Sequence, residues 1–153
     1  MVNGPFLDTS VLIGGVLDLG SNSVACRRIL DDLVAGELQG ARTAWHCCLE
    51  FYAVLTRMPQ EQRIPPSAAW VILRDDLLPH LSVVQLPTSD RERLLAEAAA
   101  GGVAGGRLYD HHIAEIAVLS GASTLVTDNT RHFLGLASRG VAVVTSEAFA
   151  ARH

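Results

Sequence analysis

Four short segments put a carboxylate where an apolar run meets a turn or a helix start. They are Pro5-Phe6-Leu7-Asp8-Thr9-Ser10, Cys47-Cys48-Leu49-Glu50, Leu108-Tyr109-Asp110-His111-His112 and Thr124-Leu125-Val126-Thr127-Asp128-Asn129. A carboxylate at the end of a buried run is costly unless something compensates its charge. If the fold gathers these segments, a divalent cation is the natural compensation and phosphodiester hydrolysis the natural chemistry. Each acid also has an ordinary role open to it. Asp8 and Asp110 suit helix N-caps, Asp128 an exposed turn, and Glu50 a pair with an arginine such as Arg57. Singly these signals are weak, but four capping accidents rarely share one edge of a sheet.

The elements that must position these residues are legible as alternation. Phe6-Leu7 reads as a first strand, and Asp8-Thr9-Ser10 offers capping side chains for the helix after it. A second helix, capped by Asn22 or Ser23, carries Val24, Ile29, Leu30, Leu33 and Val34 on its apolar face. Gly36 and Gly40 bracket a brief strand or loop. A helix over 44–57 has Leu49, Ala53 and Leu55 on its apolar side and ends at Pro59. Another starts at Pro65-Pro66-Ser67, with Trp70, Leu73 and Leu77 on one face. Residues 82–86 form a β-branched strand, a helix runs from Ser89 to Ala100, and 110–119 is helical. Leu125-Val126 and 141–144 complete the strands. Strands alternating with helices predict an α/β fold of three layers, α/β/α, around a central mostly parallel sheet, with one domain spanning 1–153. In such a sheet the working groups gather beyond the carboxyl ends of the strands. Asp8 and the Thr127-Asp128-Asn129 cluster fall there directly, while Asp110 and Glu50 reach in from helices.

Composition removes several classes. All twelve basic residues are arginine. Haloacid-dehalogenase-like phosphatases and response-regulator receivers also place an aspartate after a first strand, but both need a lysine. The former also want a second aspartate where Ser10 stands. No phosphate-binding Gly-x-x-x-x-Gly-Lys loop or serine-hydrolase elbow is present. A net charge of −4 argues against a non-specific nucleic-acid coat, though not against an enzyme whose metal and a few arginines meet phosphate. Cys26, Cys47 and Cys48 read as small core residues. The adjacent His111 and His112 point to different sides of a helix and do not suggest zinc. Arg131 and His132 are candidates for phosphate contact near the site, with an ordinary surface role equally open to them. Trp45 and Trp70 suit core or interface packing better than base stacking. No apolar run approaches the length of a membrane span, and no signal peptide is evident, so a cytoplasmic protein is expected.

Taken together, Asp8-Thr9-Ser10 after a short strand, Leu49-Glu50-Phe51-Tyr52-Ala53-Val54-Leu55, Tyr109-Asp110-His111-His112-Ile113-Ala114 and Val126-Thr127-Asp128-Asn129-Thr130-Arg131-His132-Phe133 resemble the PIN-domain ribonucleases. Among them the VapC-type toxins of bacterial toxin–antitoxin pairs are most similar. The resemblance implies a magnesium- or manganese-dependent endoribonuclease acting through a metal-activated water. It also implies an RNA substrate, a homodimer, and a cognate antitoxin that covers the acidic site. By position, Asp8, Glu50 and Asp110 match the family's first three acidic residues and would be its metal ligands. The fourth commonly lies two residues after the threonine, at Asn129 here, with Asp128 one residue early. That departure leaves a second metal in doubt. Two alternatives stay open: a free-standing nuclease in RNA processing, and a degenerate, non-catalytic interaction module.

Overall fold

The computed structural model describes residues 3–152, so positions 1, 2 and 153 of the expected 1–153 domain lie outside it. Among the described residues, seven α-helices and five strands follow one another. They are β1 (Phe6–Leu7), α1 (Thr9–Gly14), α2 (Ser23–Val34), β2 (Arg42–Ala44), α3 (Trp45–Arg57), α4 (Pro66–Val71), β3 (Ser82–Val84), α5 (Arg91–Ala100), α6 (Arg107–Leu119), β4 (Thr124–Val126), β5 (Ala142–Val144) and α7 (Ser146–Ala150). A 3-10 segment, Thr130–Arg139, joins β4 to β5.

The five strands form one parallel sheet in the order β3-β2-β1-β4-β5. The chain leaves β1 to one side through β2 and β3, then returns to the other side through β4 and β5. The β1–β4 junction is therefore the switch point, where open α/β sheets bind their ligands. Its register sets Phe6 against Leu125 and Leu7 against Val126. One step further, the Asp8 N–H donates to the Val126 carbonyl at 3.0 Å, which fixes the next residue, Thr127, beside Asp8.

One set of helices is joined by contacts of α1 with α2 and α3, α3 with α4, and α2 with α7. A second set joins α6 to α5 and to Thr130–Arg139. Covered on both faces, the strands carry continuous apolar pairs: Phe6, Leu7, Leu125 and Val126 are all fully buried. The predicted three-layer α/β/α fold is the observed one. Close approach of α1 to α2 depends on two glycines. A Cβ on Gly14 would lie 2.8 Å from Cys26 Sγ, and one on Gly15 2.3 Å from a Leu30 methyl.

Helix faces differ from the sequence reading in three places. On α2, Cys26, Ile29, Leu30 and Leu33 are buried, whereas Val24 and Val34 are exposed. On α3 the buried side is Cys47, Cys48, Phe51 and Leu55, and Leu49 is 55% exposed. Trp45 and Trp70, expected in core or interface packing, are about half-exposed, at 46% and 48%, which removes the core and leaves the interface. The physical reason is common to all three. Apolar spacing selects a stripe, and a helix can carry two stripes of which only one meets the sheet. The helix begun at Pro66 also changes character, passing into a π-helical turn, Ile72–Leu77, and a 3-10 turn, Leu78–His80. Pro79 supplies no N–H to the ladder there. The third strand ends at Val84 rather than Leu86.

Candidate functional site

Beyond the carboxyl ends of the strands lies a cleft of about 580 Å³ whose lining includes Asp8, Glu50, Asp110, Asp128 and Asn129. All five residues singled out from the sequence therefore share one cavity. Among the described residues, none that lines it is Arg or His.

Asp8 is the deepest, 4% exposed, and follows β1 directly. Its backbone carbonyl accepts from the Val11 N–H, opening α1, but its side chain caps nothing. Instead its Oδ2 accepts from Thr127 Oγ1 at 2.7 Å and from Ser10 Oγ at 3.1 Å. Burial pushes the Asp8 carboxyl above its ordinary range, and the Glu50 charge adds to this. The Thr127, Thr9 and Ser10 hydrogen bonds oppose it. Three hydroxyl and amide dipoles do not neutralise a charge, so this carboxylate wants a cation.

Glu50, in the second turn of α3, accepts from Thr9 Oγ1 at 3.1 Å and lies 3.2 Å from His46 Nε2. The His46 hydrogen bond holds its carboxyl below the usual range, against an opposing desolvation. The expected ion pair with Arg57 is replaced by this i,i+4 contact. His46 was not singled out beforehand, and its spacing four residues before Glu50 was the available signal. Its other ring nitrogen lies 3.3 Å from His112 Nδ1, and the Tyr109 ring is 5.3 Å from its own.

Asp110 stands in the first turn of α6, with Oδ2 3.4 Å from His132 Nδ1. Burial raises its carboxyl, while the His132 charge counters.

Asp128 and Asn129 divide the fourth position. The Asp128 carboxylate accepts from the Ser146 N–H at 3.0 Å, from Ser146 Oγ at 2.8 and 2.9 Å, and from Cys26 Sγ at 3.3 Å. It thus ties β4 to the start of α7 and to α2. Asn129 donates its backbone N–H to Thr127 Oγ1 at 3.0 Å, and its side chain makes no such commitment among the described residues. Ser146, fully buried, was invisible in the sequence because nothing marks a serine 18 residues away as a partner. The three cysteines are buried, as expected, and desolvation pushes the Cys26 and Cys47 thiols up to about 12 and Cys48 to about 11.

The acidic donors of this cleft are carboxylate oxygens, which suit magnesium or manganese, and the one thiol lining it, Cys26, is turned to Asp128. Among the described residues, Asp8, Glu50 and Asp110 do not bring ligand oxygens within 4.8 Å of one another as a trio; a magnesium ion held by one or two carboxylates and several waters does not need all three. A separate grouping does crowd. Glu97, His111 and Glu115, on α5 and α6, hold potential ligand atoms within 4.8 Å of one another. Glu115 is already engaged, because both its oxygens accept from the Arg139 guanidinium, one at 3.2 Å. That grouping is outside the cleft.

The family profile of the PIN domain matches residues 6–137. Ribonuclease VapC40 of Mycobacterium tuberculosis is 31% identical over 121 residues, covering 79% of this chain and 84% of that protein. Two solved structures are similar in fold at 17% identity. FitAcB of Neisseria gonorrhoeae gives a TM-score of 0.60, with 93% of this chain and 97% of that one covered. VapBC2 of Rickettsia felis, bound to a DNA fragment from their promoter, gives 0.57, with 92% and 96% covered.

Proposed function

The chain belongs to the PIN domain family, and from that premise we propose that it is a magnesium- or manganese-dependent endoribonuclease, the toxin of a toxin–antitoxin pair. The observation that carries this reading is Asp8. It is a buried carboxylate at the sheet's switch point, it shares a cleft with Glu50 and Asp110, and among the described residues no cationic side chain lines that cleft. Similarity to a named ribonuclease supports the same chemistry.

Asp8 and Asp110 would be the principal ligands, with Glu50 beside them. Asn129 occupies the fourth position as a neutral oxygen donor. Asp128 lines the cleft too, but its carboxylate is held by Ser146 and Cys26. When bound, the metal supplies a Lewis acid at the phosphodiester and makes the attacking water more acidic. Glu50 is ionised at neutral pH, because its carboxyl is held low by His46, and it is oriented by the Thr9 hydroxyl. Held low it is a weak base, so its role is to position the attacking water or to take its proton at a carboxylate oxygen. Ser10 and Thr127 fix the Asp8 rotamer by donating to its Oδ2.

A second copy of the chain would cover the outer stripe of α3. Trp45, Leu49 and Tyr52 recur there at i, i+4, i+7 and are 46%, 55% and 38% exposed. Trp70 and Val71, on the neighbouring α4, are also exposed. An antitoxin segment bearing a cationic side chain would meet the charge of the cleft.

The test is cleavage of a mixed structured-RNA pool by the purified chain, with and without manganese or magnesium, beside Asp110→Asn. Metal-dependent cutting that disappears in the variant is the expected result. A wild-type chain that leaves every RNA intact with either metal sinks the nuclease reading and favours an interaction module. Cutting by a chain with no antitoxin gene beside its own would favour a free-standing nuclease of RNA processing.

A further inference from the structure

A second groove, of about 340 Å³, lies against the cleft, and Asp110 lines both. Their electrostatics are opposite. The cleft gathers acids without a single basic residue. The groove is lined by Arg107, Arg131 and Arg139, with only Asp110 and Glu115 as acids. Arg139 is consumed by Glu115. Arg107 and Arg131 are exposed, and among the described residues neither has a carboxylate within ion-pair distance. Arg107 precedes Asp110 by one turn of α6. Arg131 precedes His132, whose ring contacts Asp110 from the groove side. Both guanidiniums thus flank the wall that the cavities share, Arg107 close enough for its charge to lower the Asp110 carboxyl.

We propose that this groove holds the phosphodiester backbone of single-stranded RNA immediately beside the cleaved linkage, with Arg107 and Arg131 as its phosphate contacts. The inference rests on the nuclease reading above. A polyanion reaching a cleft whose charged residues are all acidic is repelled except at a bound cation, so affinity for the strand must come from outside the cleft. In a chain of net charge −4, two unpaired arginines beside the site supply it locally. The arginine fork also suits phosphate oxygens.

The experiment measures binding of a fluorescein-labelled unstructured oligoribonucleotide of about twelve nucleotides in magnesium, across a salt series. The protein is the full chain carrying Asp8→Asn, so that cleavage does not intervene. Adding Arg107→Ala or Arg131→Ala should weaken binding by about three- to fivefold each. Together they should lower the slope of log affinity against log salt by about 1.4, at roughly 0.7 per single-strand contact. Arg63→Ala, an exposed arginine after α3, removes the same charge elsewhere and should leave binding unchanged. Equal losses in all three variants would overturn the proposal, since net charge alone would then explain the binding. So would unaltered RNA binding together with lost affinity for an acidic peptide, which would make the groove a protein site. Wild-type cleavage of the same oligonucleotide is scored separately. Cutting that persists beside an unchanged salt slope defeats the groove and spares the nuclease.

Discussion

Two nearly buried carboxylates receive opposite treatment in this molecule. Glu115, 9% exposed where α6 meets Thr130–Arg139, is gripped at both oxygens by Arg139. Asp8, 4% exposed at the sheet's switch point, receives only hydroxyl and amide hydrogens. Desolvation penalises both charges, and only one is answered by a cation of the chain. The contrast separates a carboxylate that holds the fold together from one left short of positive charge. A binding site keeps its deficit open for a ligand, whereas a structural pair closes it.

The largest effect should follow from removing the open charge. Asp8→Asn is expected to cut RNA cleavage by about 10³-fold, the scale of losing one preorganised electrostatic contact at a reacting centre. A fluorogenic RNA turned over in manganese measures it. Residual activity within tenfold of wild type would return Asp8 to the class of Glu115. The complementary change, Arg139→Ala, should spare the cleft and damage the fold. It strands Glu115 without its partner and should cost about 2–3 kcal/mol in urea unfolding, below the roughly 3–5 kcal/mol of a fully buried pair because Arg139 is itself 45% exposed. A double variant with Glu115→Gln should recover part of that loss. A smaller effect is expected from Ser146→Ala, about 1 kcal/mol, since Asp128 keeps the Ser146 N–H and the Cys26 thiol. If instead cleavage falls while stability holds, Asp128 belongs to the reacting centre rather than to the frame around it.

How much of this was legible beforehand varies with the range of the interaction. Phe6-Leu7 before Asp8, and Leu125-Val126 before Thr127, are local patterns. Parallel pairing then forces them side by side, so the fold and the meeting of Asp8, Glu50, Asp110 and Asp128–Asn129 in one cleft were within reach. Partners were not. Asp128 finds Ser146 and Cys26 across the sheet, and Glu115 finds Arg139, through placements that no spacing encodes. The helix faces failed differently: Leu49 and Trp45 look like core by type, yet they line the outer stripe of α3. Hydrophobicity alone does not say which covering layer an apolar face will meet. His46 lay between these cases, one turn before Glu50 and open to inspection.

The gentlest way to sharpen the comparison is the pH dependence of stability in metal-free buffer. Burial raises the folded-state carboxyl of Asp8 above its unfolded value near 3.8. In that window the folded chain binds the extra proton. Asp8 therefore contributes stability that is fully present below the unfolded value and is lost as pH rises through the folded one. Asp8→Asn removes this dependence while keeping an oxygen to accept from Thr127 Oγ1. The variant should melt a few degrees above wild type at neutral pH, and the gap should close as pH falls toward 4. Saturating manganese should reverse the order at neutral pH, because wild type gains the binding free energy that the variant forgoes. A gap that stays constant with pH, or wild type melting higher without metal, would mean that the hydroxyls of Thr127 and Ser10 already satisfy the buried charge. Asp8 and Glu115 would then differ in partners but not in kind.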